Sequence, residues 1–234
     1  MRIEPEIDGA NIVLLGNFNP SILTPAWFVN CGLLPEGVET TAKLHVAHSE
    51  VTAFDAEWLE LRVQQDSFLA GTTKAPHTRI CDLVLELFGK HLAHTPVKAL
   101  GINRTVHFRV GGMQARDRVG RTLAPTTVWG EWCAALEPGG EHGGMTSLTM
   151  TQVSVEGRAK GGRISVTVEP SRRIGDGIDG IYVAVNDHYV IVDGSAQPGE
   201  HIVNLLSDNF EKSVRHSETL IDHVMSLARG TQEG

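Results

Sequence analysis

One apolar stripe near the C terminus constrains this chain most. Val203, Leu206, Phe210, Val214, Ser217, Ile221, Val224 and Ala228 succeed one another at steps of three and four. That spacing, sustained for about seven turns, predicts a long amphipathic helix. Such a helix has one continuous face to bury and needs a broad apolar surface beneath it. The upstream sequence supplies period-two segments that fit this need. Leu59, Leu61 and Val63 alternate with Glu60, Arg62 and Gln64, and Ile102, Val106, Phe108 and Val110 alternate with Asn103, Thr105, His107 and Arg109. Each reads as a strand with one dry and one wet face. Short connections favour antiparallel pairing over parallel crossovers. The expected fold is α+β: a curved antiparallel sheet with amphipathic helices packed on one face.

Further elements follow from the same signals. A first strand is expected from Asn11 to Phe18, then a turn at Asn19-Pro20 and Thr24-Pro25 before a Trp27-Phe28 anchor. Lys43 to Val46 and Val51 to Phe54 read as short strands. Pro76 suits the first turn of a helix carrying Ile80, Leu83, Val84, Leu87 and Phe88, with Cys81 facing the core. Gly111-Gly112 opens an irregular Arg-rich stretch, and Pro125 starts a short helix with Val128, Trp129 and Trp132. Met145–Val155 and Arg163–Glu169 form a hairpin; Ile181, Val183 and Val185 mark another strand, with a turn at Asn186-Asp187 before Tyr189. The terminal helix is expected to cover this last group. The halves rhyme as strands followed by a helix. They divide as 1–137 and 145–234, one compact unit joined by the Gly-rich loop 138–144.

Charge and cysteine usage narrow the functional classes. The net charge of −8 works against nonspecific binding to nucleic acid or anionic membrane. The distribution is uneven: residues 1–60 hold 2 basic and 9 acidic side chains, whereas 96–130 hold 6 basic and 1 acidic. Asymmetry of this kind suits an anion site or complementary surfaces in an assembly. Cys31, Cys81 and Cys133 are widely spaced and odd in number, as expected of reduced thiols in a cytoplasmic protein. The apolar run Ile12–Leu15 is too short for a signal segment or a membrane span.

Catalytic motifs are missing. There is no GxSxG elbow, phosphate loop, dinucleotide fingerprint or HExxH pair. His45, His48 and Glu50 lack a further ligand to complete a metal shell, and Asp176, Asp179 and Asp187 lack calcium-loop spacing and read as loop residues. Neither cofactor nor metal is expected. The strongest candidate is the wet face Asn103, Thr105, His107 and Arg109, with Arg116, Arg118 and Arg121 following. A donor-rich row beside three guanidiniums could hold a phosphate or carboxylate, and an imidazole there could move a proton.

Three phrases carry a resemblance. They are Leu14-Leu15-Gly16-Asn17-Phe18-Asn19-Pro20 with Pro25-Ala26-Trp27-Phe28, then His94-Thr95-Pro96 with Ala99-Leu100-Gly101-Ile102-Asn103-Arg104, and Val185-Asn186-Asp187-His188-Tyr189. Through them the chain resembles a sporadically distributed family of uncharacterised bacterial proteins, over about residues 11–225. The resemblance implies only a bacterial cytoplasmic setting and brings no activity, cofactor or catalytic residue; patchy distribution would fit, by analogy, an accessory system such as phage defence. The expected function is a non-enzymatic interaction module that binds another protein or itself. Two alternatives stand beside it: an anionic ligand, nucleotide or nucleic acid at residues 104–121, and an enzyme with His107 as general base.

Overall fold

The computed structural model describes residues 3–135, 143–174, 178–191 and 196–229. The first half runs β1 (Ile7–Gly16), α1 (Pro25–Asn30), α2 (Val38–Thr41), β2 (Lys43–Ala47), β3 (Val51–Ala56), β4 (Leu59–Gln64), β5 (Ser67–Thr72) and α3 (Thr78–Glu86). The second runs β6 (Val97–Arg109), α4 (Met113–Leu123), β7 (Leu148–Val153), β8 (Arg163–Pro170), β9 (Gly180–Val190) and α5 (Gly199–Ser226). All the strands join one antiparallel sheet of nine strands, ordered β2-β3-β4-β5-β1-β6-β9-β8-β7 and not closed into a barrel.

The connectivity repeats. β1 and β6 each lead into a helical excursion, then a meander whose last strand returns to pair with them, then an amphipathic helix. The repeating unit therefore starts at β6, well ahead of the Gly-rich loop, whose residues 138–142 lie outside the described residues. β1 and β6 meet at the centre of the sheet, and each carries a Gly-x-Asn, at Gly9-Ala10-Asn11 and Gly101-Ile102-Asn103. The two asparagines lie opposite each other, and Asn103 Nδ2 donates to Asn11 Oδ1 at 2.7 Å. At Gly9 a side chain is excluded, because a Cβ would fall 2.7 Å from Thr105 Oγ1.

One face of the sheet carries two apolar cores, and α5 spans both. Its 28 residues reach about 42 Å. Ile202, Leu206 and Phe210 pack with Ile12, Leu14, Phe68 and Phe88, whereas Ile221 and Met225 pack with Val106, Phe108 and Val183. Between them the buried helix positions are Ser213 and Ser217, small residues over the place where the sheet buries Arg104 and Asp187. The terminal helix thus covers more than the C-terminal strands assigned to it from sequence. A stripe of that length outruns a four-strand group, so its first turns dock on the N-terminal core. The dry stripe also starts one residue earlier, at Ile202 instead of Val203.

Three local expectations are corrected. The Arg-rich stretch after Gly112 is helical; α4 buries only Val119, too little to leave a stripe in the sequence. β9 runs straight through Asn186-Asp187, since Asp187 points into the dry face with an arginine partner. Pro76 lies before α3, whose N-cap is His77.

Candidate functional site

The helices leave one sheet face open. The buried Leu, Ile, Val, Phe and Met side chains of the helices, among the described residues, all belong to the two cores on the other face. Paired positions form a row across all nine strands of the open face: Lys43, Asp55, Glu60, Gly71, Asn11, Asn103, Asn186, Ser165 and Thr151. Such a row is polar enough to stay wet without a covering layer.

Asn103, Thr105, His107 and Arg109 share this face, as their alternation predicts, but their surroundings differ. Asn103 is buried against Asn11. His107 lies beneath the segment after β8, with Nδ1 2.8 Å from Ser171 Oγ and its ring 4.7 Å from that of Tyr182. Burial first, and the Arg173 charge second, push the His107 pKa below the usual histidine value, so the ring is neutral at neutral pH. Ser171 is wholly buried and its Oγ also accepts from the Arg173 backbone N–H, so it serves the loop and has no path to a substrate. A cavity of about 340 Å³ beside His107 is lined by Thr105, Glu169, Arg172, Arg173 and Tyr182.

The arginines disperse. Arg109 Nε donates to Glu6 Oε1 at 2.6 Å and Nη1 to Asp179 Oδ1 at 3.2 Å. On α4, Arg116 pairs with Asp117 at 2.9 Å and Arg118 Nη1 donates to the Ala228 carbonyl at 3.0 Å. Arg116 and Arg121 line a separate cavity of about 230 Å³, on the other side of the β8–β9 end from His107. Asn103, Thr105 and His107 therefore stay together, while the three α4 guanidiniums do not converge on them.

Metal chemistry finds no framework among the described residues, which hold no group of three His, Cys, Asp or Glu side chains placed for an ion. His45 Nε2 is 2.8 Å from Asp55 Oδ2, and Asp179 is held by Arg109. Asp176 lies outside the described residues.

Two buried polar clusters escape a reading by motif. On β6, Arg104 donates from Nη2 to Asp8 Oδ1 at 2.6 Å and from Nη1 to the Gly9 carbonyl and His77 Nδ1, both at 3.0 Å. On β9, Asp187 pairs with Arg158 and accepts from the Tyr189 hydroxyl at 3.3 Å, which lies 2.8 Å from Ser213 Oγ. Asp187 is thus no loop residue: it is 2 % exposed. Both clusters could have been located from alternation, because Arg104 sits in phase with Ile102 and Val106, and Asp187 with Val183 and Val185.

The sheet edges differ in chemistry. β2 carries Lys43 and a register shift between Leu44 and Val46, both of which discourage a further strand. β7 has neither device: Thr149 to Val153 are all exposed, and no charged residue occurs from Met145 to Val155. Val128, Trp129 and Trp132 are also exposed, on the 3-10 segment Thr126–Ala135. No protein-family model matches this chain, and neither does any curated protein.

Proposed function

We propose that the protein is a non-enzymatic assembly module that pairs with a second copy of itself through the β7 edge. The observation that carries this reading is the uncharged outer strand Thr149–Val153, exposed at every position. An unpaired row of backbone N–H and C=O groups is a template for another strand, and natural edges are usually blunted by charge, proline or bulges. A twofold centred on Met150 sets Thr149 against Thr151 and Leu148 against Gln152, so no like charges meet. Head-to-tail pairing of β7 with β2 would build an open fibre, and the Lys43 edge with its register shift disfavours it. The closed dimer remains. The three cysteines form no disulfide, which supports a reducing cytoplasm. The resemblance to sporadic bacterial proteins supports an accessory system such as phage defence as the setting.

Light scattering on the eluting protein tests this reading. The wild-type chain is expected at twice its 25.4 kDa, and Thr149→Lys with Thr151→Lys is expected to return it to monomer. A wild-type monomer at high concentration, or a dimer indifferent to both lysines, would refute it.

A further inference from the structure

We propose that the cleft between α5 and the β7–β8 turn binds an organic oxyanion, a carboxylate or phosphate carried on a small apolar body. The cleft encloses about 590 Å³, within the usual range for small-molecule sites. Its floor is the Asp187–Tyr189–Ser213 cluster, and all three residues are at least nine-tenths buried. Tyr189 can donate its single proton to Asp187 Oδ2 while accepting from Ser213, so both hydroxyls are satisfied within the floor.

The cations of the cleft are Arg158 and Lys212. Arg158 neutralises Asp187, and its guanidinium lies 4.2 Å over the Tyr189 ring with the side chain 11 % exposed. All of its hydrogen bonds run from Nη1, to the Arg163 and His188 carbonyls at 3.4 Å each. Nε and Nη2 have no protein acceptor among the described residues, which leaves the planar fork of a guanidinium available to an oxyanion. Along α5, His201, Lys212 and His216 share the lip, where Glu156 is the one facing acid among the described residues. Leu205, Val190 and Ile191 provide apolar wall for the body of the ligand. In a chain of net charge −8, the cleft balances its two acids, Glu156 and Asp187, with Arg158 and Lys212.

Anilinonaphthalene sulfonate, an aromatic oxyanion whose fluorescence rises in apolar sites, is the probe. Titrated into the full chain, it should fill one saturable site. Hexanoate or hexyl phosphate should displace it, the stronger competitor naming the head group, whereas hexylammonium should not. Lys212→Glu and His216→Glu, both exposed positions, should each weaken binding roughly tenfold, the worth of one charge-assisted contact. Trp129→Ser with Trp132→Ser should leave binding unchanged. Overturning results are absence of a saturable site, equal displacement by hexylammonium, or binding that is lost with the tryptophans and kept in both glutamate variants. None of these substitutions touches β7, so the outcome is independent of dimer formation.

Discussion

At the scale of single residues, the buried Arg104 organises its surroundings by what it can only donate. A guanidinium has no acceptor, so the contact to His77 Nδ1 requires that nitrogen to be unprotonated, and Nε2 carries the proton that it donates to the Asp8 carbonyl at 3.2 Å. Burial, then the Arg104 charge, lowers the His77 pKa, and burial likewise lowers those of His107 and His188. The unfolded chain therefore takes up protons first as the pH falls below about 6.5, the ordinary histidine value. Stability is complete above that pH and is lost toward the depressed folded values. The urea midpoint should fall from about pH 7 to about pH 5.5, and His77→Gln should flatten the slope; a midpoint that rises on acidification would contradict this assignment.

Removing the carboxylate tests the same cluster from the other side. Asp8→Ala leaves a buried guanidinium with only Glu218, at 3.9 Å, as a counter-charge and should cost about 2 kcal/mol, less than a fully buried pair because the Asp8 side chain is 42 % exposed. Adding Arg104→Met should recover part of that loss, since the orphaned charge disappears. Denaturation of the two variants side by side measures the difference, and a double variant less stable than Asp8→Ala would refute the account. Alternation made the facing of Arg104 legible in the sequence. Its partners were not, because Asp8 and Glu218 lie 96 and 114 residues away in the chain.

At the scale of elements, α5 welds two cores that the sheet alone would leave separate. Phe68 is fully buried against Phe18 and Phe88, with ring centroids 6.1 and 5.2 Å away, so Phe68→Ala should cost about 3–5 kcal/mol. Because Phe210 and Ile221 anchor α5 in different cores, weakening one should weaken both. Phe210→Ala and Ile221→Ala are each expected to shift one cooperative transition, coincident by circular dichroism and tryptophan fluorescence. Two separated transitions would show instead that the cores unfold independently. The helix and the alternating strands β4 and β6 could be read from periodicity, because one face of each is dry and the other wet. β5 and α4 could not. A strand with the consecutive apolar residues Phe68, Leu69 and Ala70 loses its alternation, and a helix with one buried residue never acquires a stripe.

At the scale of the whole molecule, a connectivity repeat builds one wide sheet, covers one face with helices and leaves its two edges chemically unequal. The α+β class and one-sided helical cover were legible in the sequence. The repeat was visible only as a rhyme, since its clearest residue trace is two Gly-x-Asn triplets that become neighbours on folding. The edges were illegible, because strand order decides which hairpin strand lies outermost. The β7 edge decides between a finished sheet and an unfinished one. Hydrogen exchange at the amides of Thr149–Val153, followed over a range of protein concentration, measures this directly. Pairing through β7 predicts that those of its amides not bonded to β8 gain protection as concentration rises and lose it on dilution, with exchange in β2 unchanged throughout. Equal exchange of β7 at every concentration, or concentration-dependent protection at β2 instead, would contradict it.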